Sequence, residues 1–229
     1  MIEAADMDSR YARNVPALTE AECALLRTKQ VAVIGCGGLG GHLIELLTRV
    51  GVGSIRCVDG DVFEESNLNR QLLSTMDTLG TPKAQAAAER VKAIDPGIRV
   101  EARCVYLDEH NARELVAGCD AVVDALDSIE ARRTLAKACE VLQIPLVFGG
   151  ISGWVAQAAV SMPGDHLIET LFPEGIELKD RSVLSFTPAL CAAMQASLCI
   201  RLLAGRPVKT GSISCFDLLN QEFETIDLV

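Results

Sequence analysis

With 229 residues, 49% of them hydrophobic, and a mean hydropathy of +0.27, the chain has ample material for one well-buried principal domain. A formal net charge of −10 argues against sequence-independent binding to nucleic acid or to an anionic membrane, both of which need a basic face. The first residues are acidic and unlike a secretory signal, and no run of about 18 uncharged apolar residues suggests a membrane span, so a soluble cytoplasmic protein is expected. Most of the nine cysteines fall in apolar segments, none in a Cys-x-x-Cys pair, and the three histidines show no ligand spacing. Reduced, buried thiols and no structural zinc are therefore expected.

Residues 1–28 read as a polar N-terminal arm with helical pieces, one of them capped by Thr19. Residues 31–34, β-branched at three positions, read as a buried parallel strand. Gly35, Gly37, Gly38 and Gly40 follow and leave no side chain between backbone and ligand. A helix-period run from Leu39 to Val50 then sets the free N–H groups and positive dipole of a helix N-terminus at that turn, which favours an anion. The next strand, 54–59, ends on Asp59, where strand–helix–strand nucleotide folds place the carboxylate that accepts from ribose hydroxyls. Residues 61–72 form a polar connection longer than usual, a candidate for function. Thr81 and Pro82 read as an N-cap and first-turn pair for a helix over 83–94. Lys83 then sits in a first turn, where a cation opposes the dipole and a bound polyphosphate would account for it.

Strands over 99–105 and 119–124, separated by a helix over 108–117, continue the rhythm. Asp124 and Asp127 stand at the carboxyl end of the second, where open α/β sheets place ligands. Ser128 caps a helix to Leu142, and residues 144–149 form a strand. Past Gly150 come a strand over 154–162, an irregular polar linker over 163–186, and an apolar helix over 189–204 opened by Thr187 and Pro188. Residues 212–217 and 222–228 close the chain as an antiparallel pair. The expected fold is α/β and Rossmann-like: a mostly parallel central sheet flanked by helices, with a C-terminal antiparallel extension.

Gly35-x-Gly37-Gly38-x-Gly40, Asp59-Gly60-Asp61, Asn67-Leu68-Asn69-Arg70-Gln71, Gly80-x-Pro82-Lys83 and Asp124-Ala125-Leu126-Asp127 occur in that order. Together they resemble the ubiquitin-activating-enzyme-like adenylyltransferases, the ThiF/MoeB/HesA group, from about Arg10 to Gly205. A lone glycine motif is weak, whereas the ordered set is specific. The resemblance implies that the C-terminal glycine carboxylate of a small ubiquitin-like sulfur-carrier protein attacks the α-phosphate of ATP, giving an acyl-adenylate and pyrophosphate. It implies a glycine turn packed on the nucleotide, Asp59 on the ribose and Asn67 near the phosphates, with Asp61 in the same site. Arg70 and Lys83 would neutralise the phosphates, and Asp127 would hold Mg²⁺. The residue chemistry agrees with this: attack of one anion on another needs positive charge nearby, and a carboxylate already ionised needs no general base.

On the same resemblance the chain divides into the arm 1–28 and a single nucleotide-binding domain 29–229, with an ATP-binding half (29–150) and a carrier- and dimer-associated half (151–229). Arg10-Tyr11-Ala12-Arg13 resembles the family's N-terminal segment, in which an arginine reaches the nucleotide of the other subunit of a homodimer. Arg13 takes that place by position, although Asn14 stands where the family often has glutamine. Each role has a plainer rival: Arg70 pairing with Glu64 or Glu65, Asp127 capping the helix after it, Asp59 simply solvated. Many relatives carry paired Cys-x-x-Cys zinc ligands, but residues 163–186 hold no cysteine. Some use a crossover-loop cysteine to bond the carrier, and residues 177–184 offer none. Adenylation without covalent carrier transfer is expected, with sulfur delivered by another protein. Three rivals stand beside this reading, one of them a non-catalytic scaffold that keeps only the fold and dimer, which nothing in the motif set supports. A dehydratase activating a carboxyl group on a modified tRNA nucleoside shares the pattern at 123–128, but the acidic charge counts against it. An NAD-binding Rossmann protein would leave Arg70, Lys83 and Asp127 without a task. The carrier and its pathway stay open.

Overall fold

The computed structural model describes residues 8–173, 175–176 and 182–228. The acidic start of the chain, and residues 177–181 of the stretch that lacks a crossover cysteine, lie outside the described residues. The strands are β1 (Gln30–Ile34), β2 (Ser54–Val58), β3 (Arg99–Arg103), β4 (Ala121–Asp124), β5 (Leu146–Ser152), β6 (Val155–Ser161), β7 (Ser212–Asp217) and β8 (Glu222–Asp227). They form one sheet in the order β3-β2-β1-β4-β5-β6-β7-β8. The first five in that order are parallel and the last three join antiparallel. The division expected at residue 150 falls inside β5, and the sheet runs through it unbroken.

The helices are α1 (Glu20–Leu26), α2 (Gly38–Val50), α3 (Lys83–Ile94), α4 (Ala112–Val116), α5 (Ile129–Val141), α6 (Leu167–Leu171) and α7 (Phe186–Leu203). Strand side chains alternate between two helical layers, as a period of two requires. Val31 and Val33 of β1 pack with Leu43, Ile44, Ala87 and Cys199 of α2, α3 and α7. Ala32 and Ile34 face the opposite way, against Leu115, Leu135 and Leu167 of α4, α5 and α6. Fully burying each large aliphatic side chain contributes about 1.5–3 kcal/mol, so α2, with Leu43, Ile44 and Leu47 all at 0% exposure, is held firmly over β1.

Several boundaries differ from the expectation, each for a local reason. Pro82, in extended backbone, is the N-cap of α3 rather than its first residue. The helix expected over 108–117 begins only at Ala112, because the Asp108 carboxylate accepts from the N–H groups of His110 and Asn111 and holds a turn there. The linker after β6 contains α6, which buries Leu167 and Ile168. Helix α7 starts at Phe186, three residues before the expected start. By length and composition α7 could cross a membrane, which amends the reading that no run suggests a span. It packs instead on α2, β5 and β6, with Cys191 and Cys199 at 0% exposure. All nine cysteines are free, and seven are buried.

Candidate active site

Strand order reverses between β1 and β4: from β1 the sheet grows to β2 on one side and to β4 on the other. In open parallel sheets such a switch point leaves a crevice beyond the carboxyl ends of the strands. Here a cavity of about 400 Å³ lies there, lined by residues of the turns after β1, β2, β3 and β4.

The wall after β1 is backbone. Gly35 has φ +98°, and a Cβ on it would lie 2.5 Å from the carbonyl oxygen of Ala125; a Cβ on Gly40 would lie 1.8 Å from the Gly35 oxygen. Only glycine lets α2 sit this close to the strand ends. The N-cap of α2 is Gly37, with no side-chain cap, so the first N–H groups of the helix are left for another acceptor. Gly35, Gly37 and Gly38 line the cavity, whereas Gly40 supports it from behind.

Asp59 follows β2. Its Oδ2 accepts from the Cys36 N–H at 2.7 Å and its Oδ1 from the Asp61 N–H at 2.8 Å, so it is fixed rather than simply solvated. Burial raises its pKa, against the pull of those two N–H groups. Asp61 accepts from the Tyr106 phenol through Oδ1 and pairs with Lys83 Nζ at 3.1 Å through Oδ2. The phenol hydrogen bond, aided by Lys83, lowers its pKa in spite of burial. The Lys83 side chain is 8% exposed, its Asp61 partner 50%, so the ammonium is buried at the cavity wall while its counter-ion faces solvent.

Arg70 forms no ion pair among the described residues; it donates to the Ser66 carbonyl and the Asn69 side chain, and the rival pairing with Glu64 or Glu65 is not seen. Asp127 is exposed at the cavity and does not cap α5, a task that Ser128 performs by accepting from the Ala131 N–H. An exposed carboxylate on the wall of a cavity that Arg70 and Lys83 also line is the kind of oxygen donor that Mg²⁺ prefers. Asn67 is buried and is not among the residues lining the cavity; its Oδ1 accepts from the Glu64 N–H and closes the turn that presents Arg70. Asp124, expected at the ligand, is fully buried and pairs with Arg132 Nη1 at 3.0 Å. Burial raises its pKa, and its role is to anchor Arg132.

Arg13 is exposed on the arm and is not among the residues lining this cavity. The arm is fastened at the far end of α3: Asp95, fully buried, accepts from Tyr11, Arg10 and Arg27.

Three polar side chains of the lining carry no role in the sequence analysis. Gln71 stood inside a quoted motif but received no role; it is 7% exposed and lies against Gly37. Tyr106 and Arg132 carried no local signal, being brought in by the turn after β3 and by α5. Gln71 Oε1 and Arg132 Nε are buried with no hydrogen-bond partner among the described residues, as expected of a wall built for a polar ligand. Away from the cavity, His166 is less isolated than its sequence position suggests: ligand atoms of His166, Glu140 and Glu169 lie within 4.8 Å of one another.

The ThiF family matches residues 11–228. Over 208 residues the chain is 37% identical to the SAMP-activating enzyme E1 of Haloferax volcanii, covering 88% of this chain and 77% of that protein. It is 34% identical to the sulfur carrier protein adenylyltransferase of Thermus thermophilus, covering 88% and 79%. The crystal structure of E. coli MccB with ATP superposes with a TM-score of 0.81 at 20% identity, over 96% of this chain and 72% of that one, which supports the fold. Glycine turn, acidic strand end, basic pair and family match coincide on one stretch of chain, and the chain belongs to the ThiF family.

Proposed function

We propose that this chain is an ATP-dependent adenylyltransferase that activates the C-terminal carboxylate of a small ubiquitin-like sulfur-carrier protein. The observation that carries the reading is the convergence of the glycine turn, Asp59, Arg70, Lys83 and Asp127 on one cavity. Relatives at 37% and 34% identity are named as a SAMP-activating enzyme and a sulfur carrier protein adenylyltransferase, which favours this over the tRNA-directed dehydratase.

In the proposed reaction a carboxylate oxygen of the carrier bonds to the α-phosphorus, and the bond to the β-phosphate bridging oxygen breaks, releasing pyrophosphate. The α-phosphate end lies against the α2 N-terminus, and Asp59 accepts from the ribose hydroxyls. Arg70 and Lys83 offset charge that grows on the leaving pyrophosphate, in a partly water-excluded site where such charges act strongly. Asp127 would hold Mg²⁺, which supplies further neutralisation of the phosphates when bound. No side chain removes a proton, because the attacking group is already ionised. The apolar part of the wall, Val58, Val105 and Leu126, suits the faces of a purine base.

Arg13 acts on the nucleotide of a partner subunit in a homodimer. Burial pushes the Cys191 and Cys199 thiols up to about 12, so neither serves as a nucleophile, and sulfur delivery falls to another protein. Buried reduced thiols and an acidic surface fit a cytoplasmic enzyme that binds neither nucleic acid nor zinc. ATP–pyrophosphate exchange with candidate carriers tests the reading: Lys83→Ala and Asp127→Ala are each expected to lower the rate by about 100-fold or more. Untouched exchange in both variants, or tight binding of NAD without binding of Mg-ATP, overturns it.

A further inference from the structure

Tyr106 follows β3 at the cavity mouth and is 68% exposed, an unusual position for an aromatic ring unless something holds it. Its ring lies over Gly60, where an added Cβ would come within 2.5 Å of a ring carbon. Its carbonyl accepts from Asn111 Nδ2 at 2.8 Å, which fixes the loop. The phenol donates to Asp61 Oδ1, and the other oxygen of the same carboxylate holds Lys83 Nζ at 3.1 Å. Asp61 is thus shared between a neutral donor and the buried ammonium that the proposed reaction assigns to phosphate.

We propose that Tyr106 is a positioning residue of the nucleotide site, setting through Asp61 how readily Lys83 turns from its own carboxylate to the polyphosphate. The inference rests on the ATP reading given above. A carboxylate receiving a phenol hydrogen bond has part of its charge drawn to that side, so it is a weaker partner for a cation on its other oxygen. The same bond, with the ring seated over Gly60, limits the freedom of the Asp61 carboxylate at the cavity wall. Without the phenol, Asp61 grips Lys83 harder and is free to swing toward the phosphates, and both effects oppose the nucleotide.

Calorimetric titration with Mg-ATP, with pyrophosphate exchange alongside, tests this on the full chain carrying Tyr106→Phe, Asp61→Asn, or both. Tyr106→Phe keeps the ring over Gly60 and removes only the hydroxyl. It is expected to raise the Kd and KM for ATP roughly threefold to tenfold, the span of one charge-assisted hydrogen bond partly transmitted, while kcat stays within about twofold. In the Asp61→Asn background the further substitution is expected to have no effect on Kd, because the carboxylate that couples the phenol to Lys83 is gone. A Tyr106→Phe chain that binds like the parent, or an equal loss with and without Asp61, overturns the role of Tyr106. A parent chain that binds no Mg-ATP overturns the nucleotide reading itself, which keeps the two failures apart.

Discussion

Asp59 and Asp61 stand two positions apart and share a hydrogen bond, yet their acidities are driven in opposite directions. Burial raises Asp59, whereas the Tyr106 phenol and Lys83 lower Asp61. A raised carboxyl pKa means that the folded chain holds the proton more tightly than the unfolded one. Ionised Asp59 therefore costs stability, in full above its raised folded pKa, and that cost shrinks as the pH falls through the folded value and is gone below the unfolded one. Such a cost fits the role proposed for Asp59, in which its charge accepts from ribose hydroxyls. Nucleotide affinity is accordingly expected to fall on acidification at a pH above the range of a solvated aspartate, while Asp61 stays ionised and Lys83 stays paired. Calorimetry of ATP binding from neutral to acidic pH, run in parallel on Asp59→Asn, checks this. The acid limb belongs to the parent alone, and an identical limb in both chains would assign it to another group.

At the scale of elements, the buried Asp95 at the end of α3 fastens the N-terminal arm. Burial works against its charge, but the Tyr11 phenol, the Gly97 N–H and Arg27 more than offset this and leave its pKa lowered. A lowered carboxyl contributes stability above its unfolded pKa that is lost as pH falls through the folded value. Tyr11 in turn packs on Gly51, at the end of α2. Asp95→Ala is expected to lower stability by about 1–3 kcal/mol, a Tm drop of roughly 3–10 °C at this chain length, with protease cleavage concentrated in the arm. An unchanged Tm would show the arm to be held elsewhere. This clamp was invisible in the sequence, because residues 10, 11, 27 and 95 meet only through the packing of α2 and α3 on the sheet. The glycine turn and Asp59 were legible for the opposite reason: strand, turn and helix are consecutive, and their geometry is dictated locally. Asp124 read as a ligand residue because strand-end position is visible in a sequence and its burial partner Arg132, eight residues later in the first turn of α5, is not. The polar linker concealed α6, whose five residues are too few to show a period.

For the molecule as a whole, the distance between arm and cavity decides how Arg13 can act. Parallel strands put the cavity at the N-terminal ends of α2 and α3, and the arm is bound at their C-terminal ends, through Asn14 to the Val50 carbonyl and through Tyr11 to Asp95. With 12 residues in α3, Lys83 and the arm's anchor are separated by about 18 Å of helix, beyond the reach of an arginine side chain a few residues from its tether. An arginine so placed can serve a nucleotide only on another copy of the chain. On the function proposed above, a site is composed of one subunit's Lys83 and its partner's Arg13. In a dimer mixed from Arg13→Ala and Lys83→Ala subunits, one of the two sites has both residues intact and the other has neither. Random exchange of subunits makes half of the dimers mixed, so about one quarter of the parental pyrophosphate exchange is expected to return. Each variant alone is expected to be inactive, and size-exclusion chromatography with light scattering must show a dimer for the calculation to hold. A mixture as inactive as either variant, under conditions where subunits demonstrably exchange, would remove Arg13 from the proposed site and leave it to the cations that line the cavity, Arg70, Lys83 and Arg132.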